Sequence, residues 1–487
     1  MFAVEVDKLS YQYEENDTWM LNGVNLKVRK GECVLLTGES GCGKTTLTRC
    51  INGLIPHFYE GKLEGCVRVN GMVTAEVPIH QIAEQTGSVF QDPRSQFFTT
   101  NTTDEVAFGC ENLGYPREVI QKRTENAFGD LSLDELKDRS IFALSSGEKQ
   151  KIALASTYAL QPDIFVLDEP SANLDNQSTR QLAEMLSRLK KDGHTLIISE
   201  HRLHYFADLA DRIIYMRDGA ITKEWSGEDI KALSDETLRR LGLRMFYLEH
   251  VCCSEFGCPI SKKSLLTVEG LCAKWERKTV VEDVGFELAC GEIVGIVGEN
   301  GAGKTTLVRT LCGLQKECKG KVIYKDTALP PKKRTDHMFF VMQDADYQLF
   351  TNSVRSELCF GDKVISDAVL NETLARFGLL KYKNVHPLAL SGGQKQRLCV
   401  AVAVVNDADI LFFDEPTSGL DGKNMRNLGA ILQEQAKKGK TIVLISHDYE
   451  FLANFCTRIL YLSRGTIQDD FSLTSDHMER LAQYLSI

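Results

Sequence analysis

The feature that most constrains this chain is a short pattern that occurs twice. Gly38, Glu39, Ser40, Gly41, Cys42, Gly43, Lys44 and Thr45 have the spacing G-x-x-x-x-G-K-T, and Gly298, Glu299, Asn300, Gly301, Ala302, Gly303, Lys304 and Thr305 repeat it. Each copy lies between an apolar run and an amphipathic segment, the strand, loop and helix context in which such a loop binds phosphate. Glycines let successive backbone N–H groups curl around an anion. The helix that follows, expected over about 45–52 and 305–312, adds the positive end of its dipole. Lys44 and Lys304 are candidates for the outer phosphates of a nucleotide. Thr45 and Thr305 offer hydroxyls to magnesium, which prefers hard oxygen ligands, and Thr46 and Thr306 follow them in the same loop.

Around these loops the landmarks recur in order. Lys44 and Lys304 stand 260 positions apart, Gln91 and Gln343 252, and the pairs Ser145/Ser391, Asp168/Asp414 and His201/His447 all 246. Such a repeat predicts two homologous domains, residues 1–225 and 263–487, with a connector over 226–262. The runs Ile164–Leu167 and Ile410–Phe413 are wholly apolar and end in Asp168-Glu169 and Asp414-Glu415. They read as parallel strands buried on both faces, and ligands bind at the carboxyl ends of such strands. Asp168 and Asp414 are therefore candidates for a magnesium shell, Glu169 and Glu415 for polarising an attacking water. Tyr13 and Trp275, at matching strand ends, offer ring faces on which a base can stack. The fold class expected is α/β, with two tandem phosphate-loop NTPase domains, each a mainly parallel sheet flanked by helices.

Composition narrows the class further. With 487 residues, 43% of them hydrophobic and 25% charged, the chain reads as an ordinary folded protein. A net charge of -10 argues against a general nucleic-acid coat, which needs clustered Lys and Arg. No apolar run reaches the length that spans a bilayer, and the opening residues lack a secretory pattern, so a cytoplasmic location is expected. The 15 cysteines suit reduced thiols better than a disulfide framework. Cys252, Cys253 and Cys258 cluster in the connector, either as free thiols or as part of a metal site.

The full series resembles ATP-binding-cassette (ABC) ATPases. It comprises the phosphate loop, Gln91, the signature Ser145-Ser146-Gly147-Glu148 after Leu144, Asp168-Glu169, Ser171-Ala172-Asn173-Leu174-Asp175 and His201. It repeats as Gln343, Ser391-Gly392-Gly393-Gln394 after Leu390, Asp414-Glu415, Ser418-Gly419-Leu420-Asp421 and His447. The resemblance implies an antiparallel β subdomain and a helical signature subdomain in each half. It also implies ATP and Mg2+ as ligands, Gln91 and Gln343 in the metal shell, and His201 and His447 as γ-phosphate sensors. The two cassettes would pair head to tail within the chain, each signature completing the nucleotide site of the other. The signature helices are expected over 149–160 and 395–405, with their N-terminal N–H groups facing a terminal phosphate. Ser146 and Glu148, where the other copy has Gly392 and Gln394, predict unequal sites.

The stretch Gln91-Asp92-Pro93-Arg94-Ser95-Gln96-Phe97-Phe98 with Asp104-Glu105-Val106-Ala107-Phe108-Gly109 is similar to the ATPase component of energy-coupling factor transporters. That resemblance implies peripheral attachment to the cytoplasmic face of a membrane, through a transmembrane transport subunit and a separate substrate-binding membrane protein. Vitamins and transition-metal cations are the substrate classes. Exposed Phe97 and Phe98 would form the apolar anchor for the membrane partner, and no nucleic acid is expected. The alternatives are the ATPase of another ABC importer or a ribosome- or DNA-associated cassette protein.

Overall fold

The computed structural model describes the chain apart from residues 15–16, 252, 254–263, 276–277 and 361–364. Cys252 and Cys258 lie outside the described residues. Cys253 is half-buried with its Sγ 3.4 Å from the Leu473 carbonyl, and no metal-ligating cluster occurs among the described residues. The described residues group into two compact units, Met1–Tyr247 with Asp421–Lys423, and Leu248–Leu420 with Asn424–Ile487.

In the first unit the strands are β1 (Phe2–Tyr13), β2 (Leu21–Arg29), β3 (Cys33–Gly38), β4 (Gly61–Val69), β5 (Met72–Val73), β6 (Thr86–Val89), β7 (Ile164–Asp168), β8 (Thr195–Ser199), β9 (Arg212–Arg217) and β10 (Ala220–Ser226). They form an antiparallel sheet ordered β2-β1-β4-β5 and a six-stranded sheet ordered β10-β9-β3-β8-β7-β6. All neighbours from β9 to β6 are parallel, and β10 turns back on β9 at the edge. Every residue of β3 and β8 is buried, as expected of runs such as Val34-Leu35-Leu36 and Leu196-Ile197-Ile198 with apolar side chains on both faces. β1 instead alternates apolar and charged residues, since only one of its faces packs inward. Its buried Val4, Val6, Leu9 and Tyr11 meet Val34, Leu36, Leu47, Ile51 and Val166, so the helix Lys44–Ile51 lies within the core that joins the sheets. The helices Thr102–Asn112, Arg117–Asp130 and Ser146–Ala159 make the helical subdomain.

The second unit repeats this plan with β11 (Ser264–Trp275), β12 (Lys278–Ala289), β13 (Ile293–Val297), β14 (Glu317–Tyr324), β15 (Thr327–Ala328), β16 (Met338–Val341), β17 (Ile410–Asp414), β18 (Thr441–Ile445), β19 (Arg458–Ser463) and β20 (Thr466–Ser472). The sheets are ordered β12-β11-β14-β15 and β16-β17-β18-β13-β19-β20. Among the described residues, the helix Val354–Leu358 stands where the first unit has the longer Thr102–Asn112.

Both signature helices start earlier than their sequence pattern suggests, at Ser146 and Gly392. Ser145 and Glu148 form a reciprocal capping box, as do Ser391 and Gln394, and each box draws the signature itself into the first helical turn. Glycine is tolerated there because the first-turn N–H groups have no intrahelical partner to lose.

One buried charge distinguishes the second unit. Arg334, 1% exposed, pairs with both Glu317 oxygens at 3.0 and 2.8 Å and donates to the carbonyls of Thr310 and Leu329. It joins the end of the helix Lys304–Leu311 to β14. At the position 252 residues earlier the first unit places the fully buried Ile82. Removing one partner of a buried pair strands the other in a medium that solvates it poorly. Arg334→Ala is therefore expected to lower the unfolding free energy of the second unit by about 3–5 kcal/mol, read from urea unfolding monitored by circular dichroism. A change below about 1 kcal/mol would mean that the pair behaves as a solvated one.

Candidate functional site

The two phosphate loops leave the ends of β3 and β13 with matching glycine backbone angles. Gly38 has φ 147°, and a Cβ there would stand 2.1 Å from the Met216 carbonyl, so the strand end can turn only with glycine. Gly298 repeats this, with φ 150° against the Leu462 carbonyl at 2.0 Å. Gly41 and Gly301 face open space, the side on which a phosphate has room. Gly43 and Gly303 cap the helices Lys44–Ile51 and Lys304–Leu311 without a side-chain bond. Glu39, Ser40, Glu299 and Asn300 occupy the loop crowns. Cys42 and Ala302 are buried beneath them, and burial pushes the Cys42 thiol up.

Lys44 is buried, its ammonium 3.2 Å from the Gly38 carbonyl and 3.3 Å from that of Glu39. Lys304 repeats the contacts at 2.6 and 2.9 Å and lies 3.3 Å from His447 Nε2. Both ammoniums thus rest on backbone oxygens of their own loops, an arrangement that an anion in the loop would complement.

Asp168 ends β7 beside β8, paired in register with Ser199. Burial and then the neighbouring Glu169 charge push its carboxyl up to about 6, and its Oδ1 is buried with no hydrogen-bond partner among the described residues. Asp414 is likewise raised by burial, and its Oδ2 accepts from Thr305 Oγ1 at 2.9 Å. A divalent cation fits both places, since it would supply the positive charge these buried oxygens lack and accept the threonine hydroxyl as a hard ligand.

One residue further on, Glu169 and Glu415 take left-handed backbone angles, φ 45° and 48°, which turn their side chains out of the strand line. Glu169 Oε1 lies 3.3 Å from His201 Nε2, and its Oε2 accepts from Gln91 Nε2 at 2.9 Å. Burial alone would raise the Glu169 carboxyl, but His201 and then Lys44 outweigh it and hold the group below the usual carboxylate range. Glu415 Oε1 stands 3.7 Å from His447 Nε2, and Gln343 is exposed. Each unit therefore brings together its phosphate-loop lysine, strand-end Asp, following Glu and His, which lie far apart in sequence.

Two expectations are modified by the geometry. Tyr13 is half-buried and held by its hydroxyl, 3.3 Å from Thr46 Oγ1 and 3.1 Å from Arg49, with its ring edge-on to Tyr11 and Tyr59. Trp275, by contrast, is 50% exposed, with Arg309 5.8 Å from its ring centroid. Secondly, Glu148 is not an unpaired charge at the signature. It accepts from Ser145 N at 2.7 Å and pairs with Arg139 at 2.8 Å. The position matching Arg139, 246 residues later, is Val385, so the acid and its base occur together in one unit and a neutral pair in the other. The two signatures also differ in room: a Cβ at Gly147 would stand 2.3 Å from Ser178 Oγ and force a shift, whereas Gly393 faces open space. Sequence reading passed over Glu200, a buried acid directly after β8. The signal was present as a carboxylate wedged between an apolar run and His201.

The ABC transporter family profile matches residues 21–172 and 281–418, once in each half. A protein of Treponema denticola named "Putative ABC transporter ATP-binding protein" is 45% identical over 469 residues, covering 95% of this chain and 96% of that one. The "Putative HMP/thiamine import ATP-binding protein YkoD" of Bacillus subtilis is 33% identical, covering 94% and 89%. Among solved structures, one titled RNase-L Inhibitor superposes with a TM-score of 0.68 over 99% of this chain and 93% of its own, at 21% identity, a likeness of fold. The chain belongs to the ABC transporter ATP-binding family, as a tandem two-cassette ATPase. No helix among its described residues is long and apolar enough to cross a membrane.

The Glu148 cap yields a pH test. Burial tends to raise this carboxyl, but bonds from Ser145 and Arg139 prevail and hold it below its ordinary value of 4.5. A depressed folded-state pKa contributes stability above the unfolded value and loses it as pH falls through the folded one. Glu148→Gln should cost about 1 kcal/mol at pH 7. That difference should vanish below the ordinary glutamate range in thermal unfolding followed across pH, because the parent alone loses a charged cap there. A constant difference across the acid limb would contradict the capping role of the charge.

Proposed function

We propose that the chain hydrolyses magnesium ATP at both phosphate loops and that this work drives a membrane importer, of the energy-coupling factor type, for a vitamin or a transition-metal cation. The observation that carries the hydrolytic reading is the repeated set of Lys, strand-end Asp, following Glu and His, intact in both units. In the first unit the N–H groups from Gly41 to Thr45, with Lys44, take the β- and γ-phosphates and offset the charge that grows on the leaving oxygen. Thr45, Asp168 and Gln91 would hold the cation, as would Thr305, Asp414 and Gln343 in the second unit. Bound there, magnesium supplies Lewis-acid polarisation of the phosphate oxygens.

Glu169 accepts a hydrogen bond from the attacking water and so aims its lone pair at the γ-phosphorus. Its depressed pKa keeps it an acceptor at neutral pH. In this reading His201, whose Nε2 lies 3.3 Å from Glu169 Oε1, is the γ-phosphate sensor, and Gln91 bridges the Glu169 carboxylate to the surface stretch that starts at Asp92. Glu415 and His447 take these parts in the second unit. Trp275 offers its open ring to a base, and Tyr13 does so as a ring locked by Arg49. The exposed first turns that begin at Ser145-Ser146 and Ser391-Gly392 offer free N–H groups suited to a terminal phosphate.

The importer reading is supported by the name of the Bacillus subtilis relative and by exposed aromatic residues in each helical subdomain. In the first unit Phe98 is 73% exposed and stacks on Phe108 at 4.9 Å, whereas Phe97 is half-buried, so the apolar anchor is narrower than the sequence suggests. Arg94 beside it is paired with Asp92. In the second unit Tyr347, Phe350 and Phe360 are exposed. Aromatic anchors with charged rims are the usual make-up of a docking site, here for the cytoplasmic segment of a transmembrane subunit.

Two tests address the two halves of this reading. Glu169→Gln with Glu415→Gln should preserve ATP binding and lower turnover by about 10²- to 10⁴-fold, in a phosphate-release assay. Persisting hydrolysis in the double variant would remove the assignment. Phe98→Ala with Phe350→Ala should leave ATP affinity intact and reduce co-purification with the transmembrane transport subunit. Undiminished recovery of that subunit would remove the docking proposal.

A further inference from the structure

We propose that Glu200 is a positioning residue for hydrolysis in the first unit. Its carboxylate ties His201 to the loop that follows Glu169 and thereby leaves the Glu169 carboxylate to Gln91 and the attacking water. The proposal rests on the reading of Glu169 and His201 given above.

Glu200 is 2% exposed and directly follows β8, its N–H donating to the Leu36 carbonyl of β3. Burying a carboxylate is costly unless donors replace water, and here three backbone N–H groups do so. Oε1 accepts from Ser171 at 2.9 Å, and Oε2 accepts from His201 at 2.7 Å and Arg202 at 3.0 Å. The buried Arg202 then donates from Nη1 to the Leu174 carbonyl at 3.1 Å. The residues flanking His201 therefore grip both ends of the loop Ser171–Leu174, which itself begins two residues after Glu169. A displacement of His201 is transmitted to that loop through short, buried bonds.

The second unit solves the same problem differently. Ser446 occupies the matching position, with a single oxygen on a shorter side chain, and accepts from Asp448 N at 3.1 Å. There the His447 N–H donates to Glu415 Oε2, at 3.4 Å. In the first unit the equivalent N–H is taken by Glu200, and Glu169 Oε2 accepts from Gln91 instead. The catalytic carboxylate thus answers to the surface stretch in one unit and to the histidine backbone in the other.

The experiment uses the full chain with Glu415→Gln, so that turnover reports the first unit. Glu200→Gln places an NH2 group where an acceptor stands, so at least one of the three N–H groups loses its partner. Glu200→Ser installs the residue that the second unit uses, and keeps the test open if the amide variant folds poorly. Both should lower kcat by about 10- to 100-fold, the effect of a slightly misplaced catalytic group. KM for ATP and the affinity for a fluorescent ATP analogue should stay within about twofold, because the phosphate loop is untouched. Hydrogen exchange at the Ser171 amide should rise in both. A kcat within about twofold of the parent in both variants, or a parallel loss of kcat and nucleotide affinity, would overturn the proposal. Glu169→Gln in the same background is the control. If it retains turnover, the reading of Glu169 fails and takes this proposal with it; if it abolishes turnover while both Glu200 variants remain active, only the Glu200 proposal fails.

Discussion

Parallel pairing of strands whose apolar middles are buried on both faces brings the site's residues to one edge. β3, β7 and β8 are buried on both faces, so they pair in the middle of the sheet, and parallel pairing sends all their carboxyl ends to one edge. At that edge stand Gly38, Asp168 and Ser199, followed by the phosphate loop, Glu169 and His201. The second unit reaches the same layout through β13, β17 and β18. The polar groups of the candidate site thus stand at strand ends, at a helix start or on loops whose roots are clamped in hydrocarbon, which limits how far they can stray.

The charges collected there are arranged for a guest. Lys44 and Lys304 lean on carbonyls of their own loops, Asp168 and Asp414 are pushed toward protonation by burial, and Glu169 is pulled the other way by His201. Two neighbouring acids with opposite shifts suit two different tasks, one to share a cation and one to remain an acceptor for water. Membership in the ABC transporter ATP-binding family accounts for the pattern, and the geometry explains why each member of the set has to be the residue type it is.

The two units differ by exchanges that carry their own compensation. Arg334 with Glu317 stands where the first unit has Ile82, and Glu148 with Arg139 stands where the second has Gln394 with Val385. Glu200 with three backbone donors stands where the second has Ser446. In each case the charge arrives together with the groups that satisfy it, as burial demands. A charge counted from sequence alone, such as that of Glu148, overstates what an incoming phosphate would feel.

Much of this protein was legible in its sequence. The spacing of Gly38–Thr45 and Gly298–Thr305, the apolar runs ending in Asp-Glu, and the constant offset of the later landmarks determine two phosphate-loop units and most of the residues that the fold brings together at their candidate sites. They do so because local chain geometry and the period of burial are written in residue type. What only the tertiary structure decided are the contacts between distant segments. Among these are the bond from Gln91 to Glu169, the restraint of Tyr13 by Arg49, the inward turn of Glu148 to Arg139, and the seat of Glu200 beneath Ser171 and His201. Those depend on which side chains face one another across the fold, and a polar residue in a sequence does not say which donors it will meet once water is excluded.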